Sequence, residues 1–254
     1  MSKQSELNPS VDSRLLTSNE KTKNLKQTPP LHYQIKTMDC VSHTWSKPNL
    51  KFIATDHHNG QRFTNLVKAQ EKLGRWDLLK WIMSRKSQTW TGDFEAETKE
   101  FFATQKALPE ERPLAPMSDW QIWYIGHATV LIQIGPYNFL TDPVWAEHVS
   151  PKQGYGPKRV IPAGIALEQL PQIHAVLLSH NHYDHMDLAS LTWLHKKFAM
   201  PIYTGLGNSY YLPKAFHVIE MDWWQSALLH QLRIVYTPAQ HGSGRGARDQ
   251  NLAL

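Results

Sequence analysis

Apolar positions along this chain follow two different periods, and the change between them divides it into predicted elements. Between residues 63 and 85 they fall at Phe63, Leu66, Val67, Leu73, Trp76, Leu79, Ile82 and Met83. Separations mostly of three, four or seven predict a helix with one apolar face, weakened or divided at Gly74. Pro113 and Pro116 mark a connector. Short β-type runs follow at residues 120–125 and 129–134, then a Gly-Pro-Tyr-Asn turn and a strand at 139–141. The unbroken apolar run Ala175-Val176-Leu177-Leu178 reads as a buried strand spanning 174–179. Leu188, Leu191, Leu194 and Phe198 make the face of a second helix, with Asp187 as its N-cap. Further strands are predicted at 201–204, 217–219 and 229–236. Strands alternating with helices predict an α/β layered fold.

Composition refines this picture. Residues 1–54 form a polar N-terminal segment, rich in Ser, Asn, Lys and Gln and expected to be mobile over its first half. A helical extension and connector is predicted over 55–117, and the principal domain over 118–254. The single cysteine, Cys40, excludes an internal disulfide and a cysteine-rich zinc site. No apolar leader and no run near the length of a membrane span is present, so a cytoplasmic location is expected, with peripheral membrane contact left open. The net charge of +5 is dispersed, unlike the concentrated basic stripe of a nucleic-acid binder.

The chemistry concentrates in Ser179-His180-Asn181-His182-Tyr183-Asp184-His185, directly after the apolar strand. Three imidazoles and a carboxylate emerging together at a strand end suit zinc. His127 and Asp142 also sit at predicted strand ends, where they either orient metal ligands or shape turns. Taken alone, His241 reads as a surface histidine. Trp145, Trp223 and Trp224 read as core packing or as the lining of an acyl-chain groove, and His57-His58 has no role derivable from spacing.

The His-x-His-x-Asp-His pattern resembles the metal loop of the metallo-β-lactamase superfamily. Its companions are Trp123-Tyr124-Ile125-Gly126-His127-Ala128-Thr129, Leu140-Thr141-Asp142-Pro143, Gly156-Pro157-Lys158-Arg159 and Thr237-Pro238-Ala239-Gln240-His241. With these, the chain from about Asn59 to Leu254 resembles the N-acylphosphatidylethanolamine-hydrolysing phospholipase D family and its bacterial relatives. The resemblance implies an αββα sandwich with two zinc ions. His180, His182 and His241 would hold one, and Asp184 and His185 the second. Asp184 and His185 would serve catalysis. The implied reaction is attack of a metal-activated hydroxide on the phosphodiester of an N-acylated phospholipid.

The family pattern continues past the His241 loop to a bridging aspartate and a final histidine. Asp249 follows His241 too closely to match either, so only the first half of the sandwich is expected here, a truncated domain of doubtful activity; a complete site would hold two zincs, and an occupancy of one or fewer is left open for this chain. The alternatives are a metallo-hydrolase of another substrate (a soluble phosphodiester, a lactone or a nucleic acid) and a non-catalytic fragment that binds metal or membrane. A homodimer is compatible with the amphipathic helix; nucleic acid is not an expected partner.

Overall fold

In a computed structural model the described residues are 50–67, 75–84, 96, 97, 100, 108–151, 155–246 and 248–254. Helix α1 spans Arg75–Ser84. Strands β1 (Trp120–Gly126), β2 (Thr129–Ile134) and β3 (Tyr137–Thr141) form an antiparallel meander. Strands β4 (Ala175–Leu178), β5 (Ile202–Gly205) and β6 (Val218–Met221) extend it in parallel, giving one six-stranded sheet in sequential order. Helix α2 (Leu188–Phe198) joins β4 to β5, and β7 (Ser226–Leu229) and β8 (Leu232–Val235) make a separate hairpin. The fold is mixed α/β, as the alternation of periods predicts.

The central strands are apolar at successive positions because both faces of the sheet are covered. On one face, Leu131, Leu140, Val176, Leu178 and Ile202 pack with Leu191 and Leu194 of α2. On the other, Phe139, Ala175, Tyr203 and Met221 meet the inward residues of the hairpin, among them Leu229, Leu232 and Ile234. Asp187 caps α2 as expected, accepting from the Ala189 amide at 3.1 Å. Toward the β1 edge cover is thinner, and Trp120, Ile122 and Tyr124 are exposed on one face of that strand.

Two expected elements differ. The continuous strand predicted at 229–236 is the hairpin: His230, at φ 53°, turns the chain between β7 and β8. The helix predicted from residue 63 is observed only as α1. Phe63 is instead buried in a bridge with His58, its amide donating to Asn251 O at 2.8 Å, while Leu66 and Val67 are exposed outside any helix. Residues 68–74, including Leu73 and Gly74, lie outside the described residues, as does the polar segment 1–49 with Cys40. Trp76, Leu79 and Met83 of α1 are exposed rather than packed on a core.

Candidate metal centre

Strand β4 ends at Leu178, and the next seven residues turn back on themselves. The amides of His185 and Met186 both donate to His182 O, at 3.1 and 2.8 Å, while fully buried Met186 anchors the far side. The tight turn brings His180, His182, Asp184 and His185 to one place. His241 arrives from the loop after β8. Its ring centroid lies 4.7 Å from that of His180 and 5.2 Å from that of His182. One nitrogen from each of these three histidines falls within 4.8 Å of the others, and so do ligand atoms of a second group, His127, Asp184 and His185. The two groups adjoin, with the His180 and His185 rings 4.1 Å apart.

The sequence places His127 at a strand end, either orienting ligands or shaping a turn, yet it stands among the donors. Its Nε2 donates to Asp184 Oδ2 at 3.0 Å. A β-bulge between Tyr124 and Gly126, followed by His127 itself at φ 51°, re-aims the chain there. Only the strand-end position hinted at this; the bulge that aims the ring has no plain sequence signal.

Asp142 lies behind the donor cluster. It is buried and also left-handed at φ 33°, with its carbonyl held by the Thr129 hydroxyl at 2.7 Å. Its Oδ1 accepts from the Ser179 amide at 2.7 Å; its Oδ2 accepts from Ser179 Oγ at 2.6 Å and His185 Nδ1 at 2.8 Å. With the Ser179 hydroxyl proton given to Asp142, Ser179 Oγ can accept from His180 Nδ1, 2.9 Å away. Asp142 thus fixes the tautomers of both His180 and His185, turning each Nε2 lone pair towards the cluster.

The electrostatics agree with that arrangement. Burial, then the neighbouring imidazoles of His185, His182 and His241, depress the His180 pKa to about 3, so it is neutral at ordinary pH. Burial and His241 also lower that of His182. For His185 burial acts downward, but the hydrogen bond and charge of Asp142, with the charge of Asp184, outweigh it and raise the pKa. At Asp184 burial acts upward and is overcome by His185, the local backbone and His127, which hold the carboxyl below its usual range.

These donors fit zinc or a similar ion. Ligands about 2.1 Å from a tetrahedral centre are roughly 3.4 Å apart. His180 Nε2 and His182 Nδ1 are 2.9 Å apart, and Asp184 Oδ2 is 3.0 Å from His127 Nε2 and 3.6 Å from His185 Nε2. The donor types do not single out one metal.

A cavity of about 650 Å³ opens beside the cluster. His180, His185 and His241 line it together with the apolar side chains of Tyr203, Met221, Trp223 and Ile234. Trp223 is therefore a wall residue. Trp224 is exposed, and Trp145 packs against the core with its Nε1 bonded to Ile165 O at 2.9 Å. His57 and His58 have structural places. Buried His57 bridges Asp56 and Asp222 and stacks on Trp223 at 4.3 Å, and His58 packs against Phe63. Asp249 lies outside both donor groups, closing its own loop by accepting from the Arg245 and Gly246 amides at 3.0 and 2.7 Å.

Residues 137–254, which include every donor except His127, match the model of the beta-lactamase superfamily domain. An uncharacterized protein of Mycobacterium tuberculosis is 40% identical over 128 residues, covering 48% of this chain and 34% of that protein. The N-acyl-phosphatidylethanolamine-hydrolyzing phospholipase D 1 of Caenorhabditis elegans is 34% identical over 143 residues, covering 52% of this chain and 40% of that protein. The chain thus spans well under half the length of these curated relatives. Among solved structures, a metallo hydrolase of the archaeon Ignicoccus hospitalis aligns at 20% identity with a TM-score of 0.37, covering 51% of this chain and 52% of that one. No helix among the described residues is long and apolar enough to cross a membrane.

Proposed function

We propose that this chain carries the metal centre of a zinc-dependent hydrolase of phosphodiester bonds, acting on N-acylated phosphatidylethanolamine in the manner of a phospholipase D. The observation that carries the reading is two adjoining donor groups, of which His180, His185 and His241 line an apolar-walled cavity. Its size falls within the roughly 300–1,000 Å³ usual for small-molecule sites. The curated phospholipase D relative supports the substrate class.

His180, His182 and His241 would hold one ion, and His127, Asp184 and His185 the second. Bound there, the ions would supply Lewis acidity and a water of lowered pKa. The chain's residues do the rest. Burial keeps His180 unprotonated, Asp142 holds His185 with Nε2 forward, and Trp223, Tyr203 and Ile234 exclude water along the side where an acyl chain would lie. Exposed Trp76, Leu79 and Met83 on α1 support contact with a lipid surface.

The test is release of phosphatidic acid from N-acylated phosphatidylethanolamine vesicles, with and without added zinc, run beside a soluble phosphodiester and a lactone. Zinc-dependent release that His180→Ala abolishes is the expected result. Turnover of only the soluble substrates would replace the lipid assignment. Metal binding without any turnover would identify the chain as a non-catalytic metal-binding piece.

A further inference from the structure

The three histidines of the first donor group come from chain segments about sixty positions apart. His180 and His182 ride the turn after β4, and His241 the loop after β8. Such a group works only if the two loops are held in register. Ligand geometry tolerates errors of about half an ångström, and loops alone are poor at that precision.

We infer that Arg245 is the positioning residue that locks these two loops together. Its Nη1 donates to Asn181 O at 3.0 Å and Met186 O at 2.8 Å, the two ends of the stretch containing His182, Asp184 and His185. The guanidinium lies 4.0 Å over the Tyr183 ring, and Tyr183 Oη donates back to Arg245 O at 2.9 Å. Beside it, the Gly244 amide donates to Oδ1 of fully buried Asn181 at 2.7 Å. The Arg245 backbone is fixed in turn by Asp249, whose Oδ2 also accepts from Tyr211 Oη at 3.0 Å. These contacts form a closed clasp between the His180–His185 turn and a residue four positions beyond His241. A planar guanidinium serves two carbonyls while stacking flat on an aromatic face, with less freedom lost per contact than a flexible lysine ammonium. Its hydrogen bonds go to loop carbonyls and its stacking to Tyr183, so beyond a minor charge effect on His182 it acts through the loops.

The assignment rests on the metal-centre reading, and one experiment separates the two. Zinc affinity of the purified chain is measured by competition with a chromophoric chelator, the cobalt(II) absorption spectrum is recorded, and thermal unfolding of the metal-free chain is followed in parallel. Parent, Arg245→Lys and Arg245→Met proteins are compared. The expected result is a loss of zinc affinity of about 10–100-fold in Arg245→Met, with a shifted cobalt spectrum and an intermediate value for Arg245→Lys. A lower unfolding temperature with unchanged affinity and spectrum would make Arg245 merely structural and overturn the assignment. If Arg245→Met does not fold, Tyr183→Phe decides. That variant keeps the stacking ring but removes the returning hydrogen bond, so a smaller loss of affinity in the same direction is expected, and none would overturn the clasp. A parent chain that binds no zinc would overturn the metal-centre reading and this assignment together.

Discussion

Asp142 makes the centre most sensitive to a single atom. One buried carboxylate accepts from the Ser179 amide, the Ser179 hydroxyl and His185 Nδ1. Asp142→Ala leaves all three donors without their partner, at a cost of about 1–3 kcal/mol from desolvation alone. It also frees His185 to rotate and lets His180 change tautomer, so zinc affinity should fall about 10–100-fold. Urea unfolding and chelator competition measure the two effects, and unchanged affinity would remove Asp142 from behind the ligands. The imidazoles give a second prediction. His180, lowered to about 3 by burial, and His182, lowered likewise, bind fewer protons folded than unfolded. Their contribution is fully present above the ordinary value near 6.5 and is lost as the pH falls from there, by at most about 1.4 kcal/mol per pH unit for each group. His185 runs the other way, its contribution complete below 6.5 and fading as pH rises through its raised pKa. Two groups against one predict a metal-free chain with a lower urea midpoint at pH 5.5 than at pH 7.5, and a shallower dependence in His180→Gln. A higher midpoint at the acid pH would contradict the buried, neutral state of His180.

Between elements, the end of the hairpin approaches β5 closely at Gly205. A Cβ at Gly205 would stand 2.5 Å from Tyr236 Oη and 2.8 Å from Cζ, and that hydroxyl also donates to Ser179 O at 2.8 Å. Gly205→Ala should therefore push Tyr236 off the strand end that launches the metal loop, costing about 1–3 kcal/mol. Tyr236→Phe in the same chain should recover part of it by removing the closest atom. Additive losses by thermal unfolding would show that the two positions do not compete for space. Elements of this kind were unequally legible in the amino-acid sequence. Strand β4 and its loop could be read because four apolar residues precede a burst of ligand-type residues, and α2 because its leucines repeat at helical spacing behind a capping aspartate. The turn at His230 was hidden, since apolar residues on both sides of it merge into one strand-like run and no glycine or asparagine marks the left-handed residue. Phe63 satisfies helical spacing equally well while serving a bridge to His58. The roles of His127 and Arg245 were hidden for a different reason. One depends on a bulge and the other on backbone carbonyls, and neither leaves a pattern in side-chain type.

At the scale of the molecule, the donors come from three places: the β1–β2 turn, the β4–α2 loop and the segment after β8. An unfolded chain cannot hold the ligand atoms of either group within 4.8 Å of one another, so on the proposed reading ion binding would be coupled to the fold as a whole. A ligand that binds only the folded state stabilises it by about 2.7 kcal/mol at a hundredfold excess over its Kd. For a domain of this size that corresponds to roughly 5–10 °C for each occupied group. Zinc added to the metal-free chain should raise the Tm in a concentration-dependent way, and a chelator should reverse it. His241→Ala tests the coupling more sharply, because His241 is exposed and its removal leaves the core intact. That variant should keep the metal-free Tm within about 2 °C, as an exposed substitution usually costs under 0.5 kcal/mol, yet lose much of the zinc-induced rise. A rise preserved in His241→Ala would mean that the stabilising ion sits elsewhere, and the His241 loop would then be packing rather than chemistry.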